Sequence, residues 1–191
     1  MTTARKNLLV FALAFGAVAL PSFLYIQQHA FDEEAFNLVL RISARLAILI
    51  YLLIFVARPL RQLTGSGLSK HLLKNRRQIG VTLAAVMSAH LLYLLWKNGF
   101  VFPFFGALIY AFIFLMLITS FEGPTKALGP KNWKMLHKTG LYALGIALAQ
   151  AQFGRIIHGM GAPIHYLLAA LFIAAIAVRM LAWRRQRLLK N

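Results

Sequence analysis

Residues 78–96 read QIGVTLAAVMSAHLLYLLW, a run without Lys, Arg, Asp or Glu that is opened by Arg76-Arg77 and closed by Lys97. About 20 predominantly apolar residues at 1.5 Å each cross the roughly 30 Å hydrocarbon core of a bilayer. The run therefore reads as a transmembrane helix, and it carries one residue that hydrocarbon disfavours, His90. Working outward, residues 8–27, 100–121 and 139–154 are equally free of charge. A segment centred on 46–57 is charge-free over a shorter stretch and spans only if Arg41 and Arg45 lie in its first turns. A last segment runs from Pro163 to residue 178 and meets Arg179 near its end.

The composition agrees. The chain has 191 residues, of which 60% are hydrophobic and 13% charged, with a mean hydropathy of +0.70. Soluble domains sit near half apolar and a quarter charged, so these values point to an integral membrane protein. The formal charge of +17 would suit nucleic acid, but the cations fall in short clusters between apolar runs, which is a membrane pattern. With no Cys, disulfides, zinc–thiolate sites, iron–sulfur clusters and thiolate nucleophiles are excluded. Any metal chemistry rests on the six His.

The expected architecture is a single all-α membrane domain over 1–191, a six-transmembrane-helix bundle with helices at about 8–27, 38–58, 78–96, 100–121, 136–154 and 163–183. Only Arg41, Arg45, Lys97 and Arg155, with Asp32, Glu33 and Glu34, fall on one side of that bundle. The rest of the 21 Lys and Arg, including Lys190, fall on the other. By the positive-inside rule both termini are cytoplasmic, an N-in/C-in arrangement. A cleaved signal peptide is the alternative for the first segment, but its apolar run continues past Pro21 through Phe23, Leu24 and Tyr25 without a polar cleavage region. No internal repeat, low-complexity tract or linker divides the chain.

Polar residues inside the spans carry the chemistry. An imidazole in hydrocarbon packs, hydrogen-bonds across helices or holds a metal, because leaving it unsatisfied costs free energy. His90 lies well inside the third span, where a helix–helix hydrogen bond is the plain reading and a metal ligand the sharper one. His137 opens the fifth span just after Trp133 and Lys134, where a solvated interfacial imidazole competes with a ligand. His29, His71, His158 and His165 fall in loops or at helix ends. Arg45 stands one turn beyond Arg41 on the same face, and either snorkels to the interface or pairs with a buried anion such as a propionate. Gln150 and Gln152 read by default as interhelical hydrogen-bonding groups. No membrane-buried carboxylate, nucleophile arrangement or phosphate loop is present, Glu122 being placed at a helix end.

Three segments taken together carry a resemblance: Arg76-Arg77-Gln78-Ile79-Gly80 leading to Ala89-His90-Leu91-Leu92-Tyr93; Ile118-Thr119-Ser120; and Leu128-Gly129 followed by Trp133-Lys134-Met135-Leu136-His137 and Tyr142. Ser43-Ala44-Arg45-Leu46-Ala47 and Arg58-Pro59-Leu60 match in kind. The pattern resembles the haem-binding membrane subunits (MsrQ, formerly YedZ) of bacterial protein-methionine-sulfoxide reductase systems, in the ferric-reductase-like transmembrane superfamily. It covers the second to sixth spans.

The resemblance implies a b-type haem subunit of the bacterial cytoplasmic (inner) membrane, an electron-transfer part of an oxidoreductase rather than a complete enzyme. Electrons would come from a cytoplasmic flavin reductase, which leaves room for a flavin, or from quinol, and pass to a periplasmic molybdopterin reductase. It implies His90 and His137 as metal ligands, with Arg45 and Arg77 as contacts for propionates or lipid phosphates. The family carries a second His thirteen residues beyond the position of His137, and here that position is Gln150, expected at the depth of His90 and facing the cofactor. Three outcomes stay open: a haem on His90 with a weak or absent sixth ligand, a second His recruited from His158 or His165, or a haemless member acting as membrane anchor or assembly scaffold.

Overall fold

The computed structural model describes residues 2–99, 101 and 103–189, and every regular element among them is helical. Phe100, where the fourth expected span starts, and Lys190 of the cation pattern lie outside the described residues. The helices are α1 (Thr3–Gln28), α2 (Glu33–Thr64), α3 (Gly67–Lys74), α4 (Arg76–Asn98), α5 (Phe104–Ile118), α6 (Glu122–Ile157) and α7 (Pro163–Leu188).

Local chemistry sets the boundaries. Asp32 caps α2 by accepting from the Glu34 amide at 3.2 Å, and Glu33 and Glu34 in its first turn complement the helix dipole. Gly65 and Gly99 end α2 and α4 in left-handed conformation, at φ 62° and 60°. Ser66 caps the short α3, an element without counterpart in the expected six. Inside α6 the chain breaks at Gly129-Pro130: Gly129 takes φ 74° and ψ 159°, which only glycine adopts freely, and proline cannot continue a helix across it.

The α2 helix is central, with α4 and α7 packed along it, while α1 lies on α4 and α6 bridges α5 to α7. The core is built from α2 (Ala47, Ile48, Tyr51, Phe55), α4 (Leu83, Val86, Met87), α6 (Leu144, Leu148) and α7 (Leu168, Phe172). Polar tethers close the outer contacts: Tyr93 Oη donates to the Ala19 carbonyl at 2.5 Å, and Asn7 Nδ2 to the Ser120 carbonyl at 3.0 Å. Outward-facing Leu13, Leu20, Ile146, Ile173 and Leu181 are all more than half exposed, a coat suited to lipid rather than water.

By length and composition α1, α2, α4 and α7 can each cross a bilayer. By the same measure the α5–α6 pair, bent by 111°, adds one span at most, so four or five spans stand on length and composition alone. The 15 residues of α5 rise about 22 Å, and the first part of α6 is polar and broken at Gly129.

Candidate functional site

Four elements line a pocket of about 850 Å³ that is open on one side. From α2 it takes Asn37, Leu40, Arg41, Ala44 and Arg45; from α4 His90 and Leu94; from α6 Ala151, Gln152 and Arg155; and from α7 His165, with Asp32, Glu33 and Glu34 at one end. The α2 residues recur every three or four positions, so one stripe of that helix forms a wall. The stripe is graded. Acids occupy its first turn, and Arg45 lies 12 residues beyond Glu33, about 18 Å along the axis. Lys97 closes the acidic end, pairing with Glu33 at 3.2 Å and donating to Asn37 Oδ1 at 2.5 Å.

His90 stands in the α4 wall. Its Nδ1 lies 2.8 Å from Ser43 Oγ, and Ser43 Oγ lies 2.8 Å from the Val39 carbonyl. Ser43 is 1% exposed. The hydroxyl reaches the ring because small residues, Ala47 on α2 and Ala85 and Ala89 on α4, are completely buried along helices that pack together. Among the described residues His90 Nε2 has no hydrogen-bond partner.

Across the cavity His165 is 8% exposed, and its Nδ1 accepts from the Ala162 amide at 2.9 Å. That bond caps the first turn of α7 and places the neutral ring's proton on Nε2. Gln152 is 6% exposed, and its Oε1 has no hydrogen-bond partner among the described residues. A buried amide oxygen in that condition is uncommon and marks an incomplete polar wall.

The other expected site residues are placed differently. Gln150 is exposed and does not line the cavity. The buried positions of α6 include Gly140, Leu144, Leu148 and Gln152, and at about 100° per residue Gln150 points some 200° away from Gln152. The α6 glutamine that faces the pocket is therefore Gln152, while Gln150 lies on the exposed side of the helix. His137 is not brought to His90. Its Nε2 lies 3.0 Å from Thr119 Oγ1, and its ring packs on Trp133 at a centroid distance of 4.3 Å. Trp133 Nε1 donates to the Thr119 carbonyl at 2.8 Å, so this cluster holds the α5–α6 bend.

Arg45 lines the cavity, whereas Arg77 is exposed at the start of α4. His29 lies against Tyr25 and His71 beside Asn75, each within its own helical turn or cap. His158 is the exposed C-cap of α6.

Among the described residues no three His, Cys, Asp or Glu side chains gather as a metal-ion cage. A haem asks for less, one or two axial donors and partners for its carboxylates. The wall supplies His90 with its Nε2 open, guanidiniums at Arg41, Arg45 and Arg155, and a volume inside the roughly 300–1,000 Å³ usual for cofactor sites. These residues fit a haem held on His90, and Gln150 supplies no second ligand. No protein family, curated protein or solved structure matches the chain, so the resemblance to haem-binding membrane subunits is carried by the quoted residues alone.

Proposed function

We propose that the chain is a multi-pass subunit of a bacterial cytoplasmic membrane that binds haem b in this cavity and passes electrons to a redox partner. The observation that carries this reading is His90: an imidazole deep in an apolar helix, fixed through Nδ1 by Ser43, with Nε2 open beside an 850 Å³ cavity. Haem, when bound, supplies one-electron chemistry at its iron. The protein's part is to hold and orient. His90 would hold the haem through Nε2, and Arg45 would offer a fork of donors to a carboxylate. Leu40, Ala44, Leu94 and Ala151 supply the apolar part of the lining.

In the same reading α5 and the later part of α6 act as separate spans, making six with both termini cytoplasmic. The cavity then opens to the periplasmic side, facing an acceptor such as a periplasmic molybdopterin reductase. The donor, a cytoplasmic flavin reductase or quinol, works from the other face.

The test is the absorption spectrum of the purified protein before and after dithionite. A sharp reduced b-type alpha band is expected. A featureless spectrum after expression with ample haem supply overturns the reading in favour of an anchor or assembly scaffold.

A further inference from the structure

We infer that Ser43 is a positioning residue that fixes the tautomer and the ligand strength of His90; the inference rests on the haem reading for its redox consequence but not for its proton assignment. The argument is one of counting protons. A carbonyl oxygen only accepts, so the 2.8 Å contact between Ser43 Oγ and the Val39 carbonyl requires the hydroxyl proton, and the Leu40 carbonyl at 3.2 Å competes for the same proton. With that proton turned into its own helix, Ser43 Oγ meets His90 with a lone pair. The 2.8 Å contact to Nδ1 is then satisfied only if Nδ1 carries the imidazole proton. The reverse arrangement, hydroxyl to Nδ1, leaves the Val39 carbonyl and Ser43 Oγ facing each other at 2.8 Å without a proton between them. His90 is therefore the Nδ1–H tautomer, and the lone pair on Nε2 is available to a metal or a donor group.

The partner's chemistry also sets the strength of the ligand. A carboxylate accepting from Nδ1–H would pull the proton strongly and make the ring a markedly more basic donor. Ser43 is neutral, and its oxygen is a modest acceptor, so His90 gains orientation and a limited increase in basicity. Among the described residues no carboxylate takes this place: Asp32, Glu33 and Glu34 all sit in the first turn of α2 or at its cap, well along the helix from residue 43.

The test uses the full chain in lipid bilayers with 15N-labelled histidine, the His90 signals being identified by their loss in His90→Gln. The wild type should show a protonated Nδ1 and an unprotonated Nε2 when free of metal. Ser43→Thr, which keeps the hydroxyl, should preserve this tautomer, and Ser43→Ala should mix the two. An Nε2–H tautomer in the wild type overturns the inference whether or not the protein binds haem. In protein carrying haem, Ser43→Ala should weaken retention by about tenfold, in the range seen when such outer partners of metal-bound His are removed. It should also raise the midpoint potential, because a less basic imidazole stabilises the oxidised iron less, and Ser43→Thr should restore both values. An unchanged potential and unchanged retention in Ser43→Ala reject the positioning role. Absence of haem in the wild type rejects the proposed function and leaves the proton assignment to the nitrogen spectra.

Discussion

His90 and His137 are both imidazoles on long helices, and each rests against a hydroxyl that has already given its proton to a backbone carbonyl: Ser43 to Val39 at 2.8 Å, Thr119 to Leu115 at 2.7 Å. What differs is the other side of the ring. His90 borders a cavity with guanidinium, amide and imidazole groups around it, whereas His137 is covered by Trp133 at the hinge between α5 and α6. The hydrogen bond to a hydroxyl therefore does not make a ligand. The proposed ligand differs in having its Nε2 open toward a pocket of cofactor size lined by α2, α4, α6 and α7. The α5–α6 region uses the same residue type to hold a bend.

That contrast can be broken at the hinge, where a large change in stability is expected. Trp133→Ala removes an aromatic contact, worth about 0.5–1.5 kcal/mol, and a hydrogen bond worth about 1 kcal/mol. The variant should lose about 1.5–2.5 kcal/mol in detergent unfolding while haem per folded protein stays at the wild-type level. A parallel loss of haem would mean that the two regions are not independent.

A comparable test lies between the two regions, at Gly145. A Cβ there would fall 2.0 Å from Tyr51 Oη, and Tyr51 is 2% exposed and stacked against Phe55. Gly145→Ala forces the buried ring aside and should cost about 1–3 kcal/mol. Wild-type thermal stability in this variant would show that α2 and α6 approach less closely than described.

The smallest effects on folding, and the sharpest on the site, concern the two glutamines. Gln152→His places an imidazole in the cavity wall and should drive the iron toward a six-coordinate, low-spin state with less carbon monoxide binding. Gln150→His puts the same group on the outer surface and should change neither haem content nor spin state. An inverted result would mean that α6 is rotated by about half a turn from its described phase.

These glutamines also show what the sequence makes legible. Hydropathy located the long helices because burial in lipid needs little beyond an unbroken apolar run, and α1, α2, α4 and α7 follow it closely. The α5–α6 region did not follow, because its shape depends on the Gly129-Pro130 break and on hydrogen bonds between Trp133, His137 and Thr119 that no apolar pattern announces. His90 stood out as a lone imidazole in hydrocarbon.

The resemblance points to Gln150 and depth agrees with it, but depth leaves rotation undetermined. The phase was present in Leu144, Leu148 and Gln152 at steps of four, with Gly140 and Gly145 as the small residues of the same packed face. Ser43 left no comparable mark, since a serine in an apolar helix commonly bonds to its own backbone, and only the packing of α2 on α4 brings it to His90. His165 reads from the sequence as a helix-end residue, and its burial depends on the bond its Nδ1 accepts from the Ala162 amide.

The central claim is that the outer cavity, through His90, is the place where iron is held. Its most direct test is a side-by-side measurement of the dithionite-reduced alpha band in purified His90→Ala and His137→Ala, normalised to folded protein. The account predicts that His90→Ala loses most of the band while His137→Ala keeps it with unchanged position. A full band in His90→Ala together with its loss in His137→Ala would contradict the account and move the iron to the α5–α6 bend.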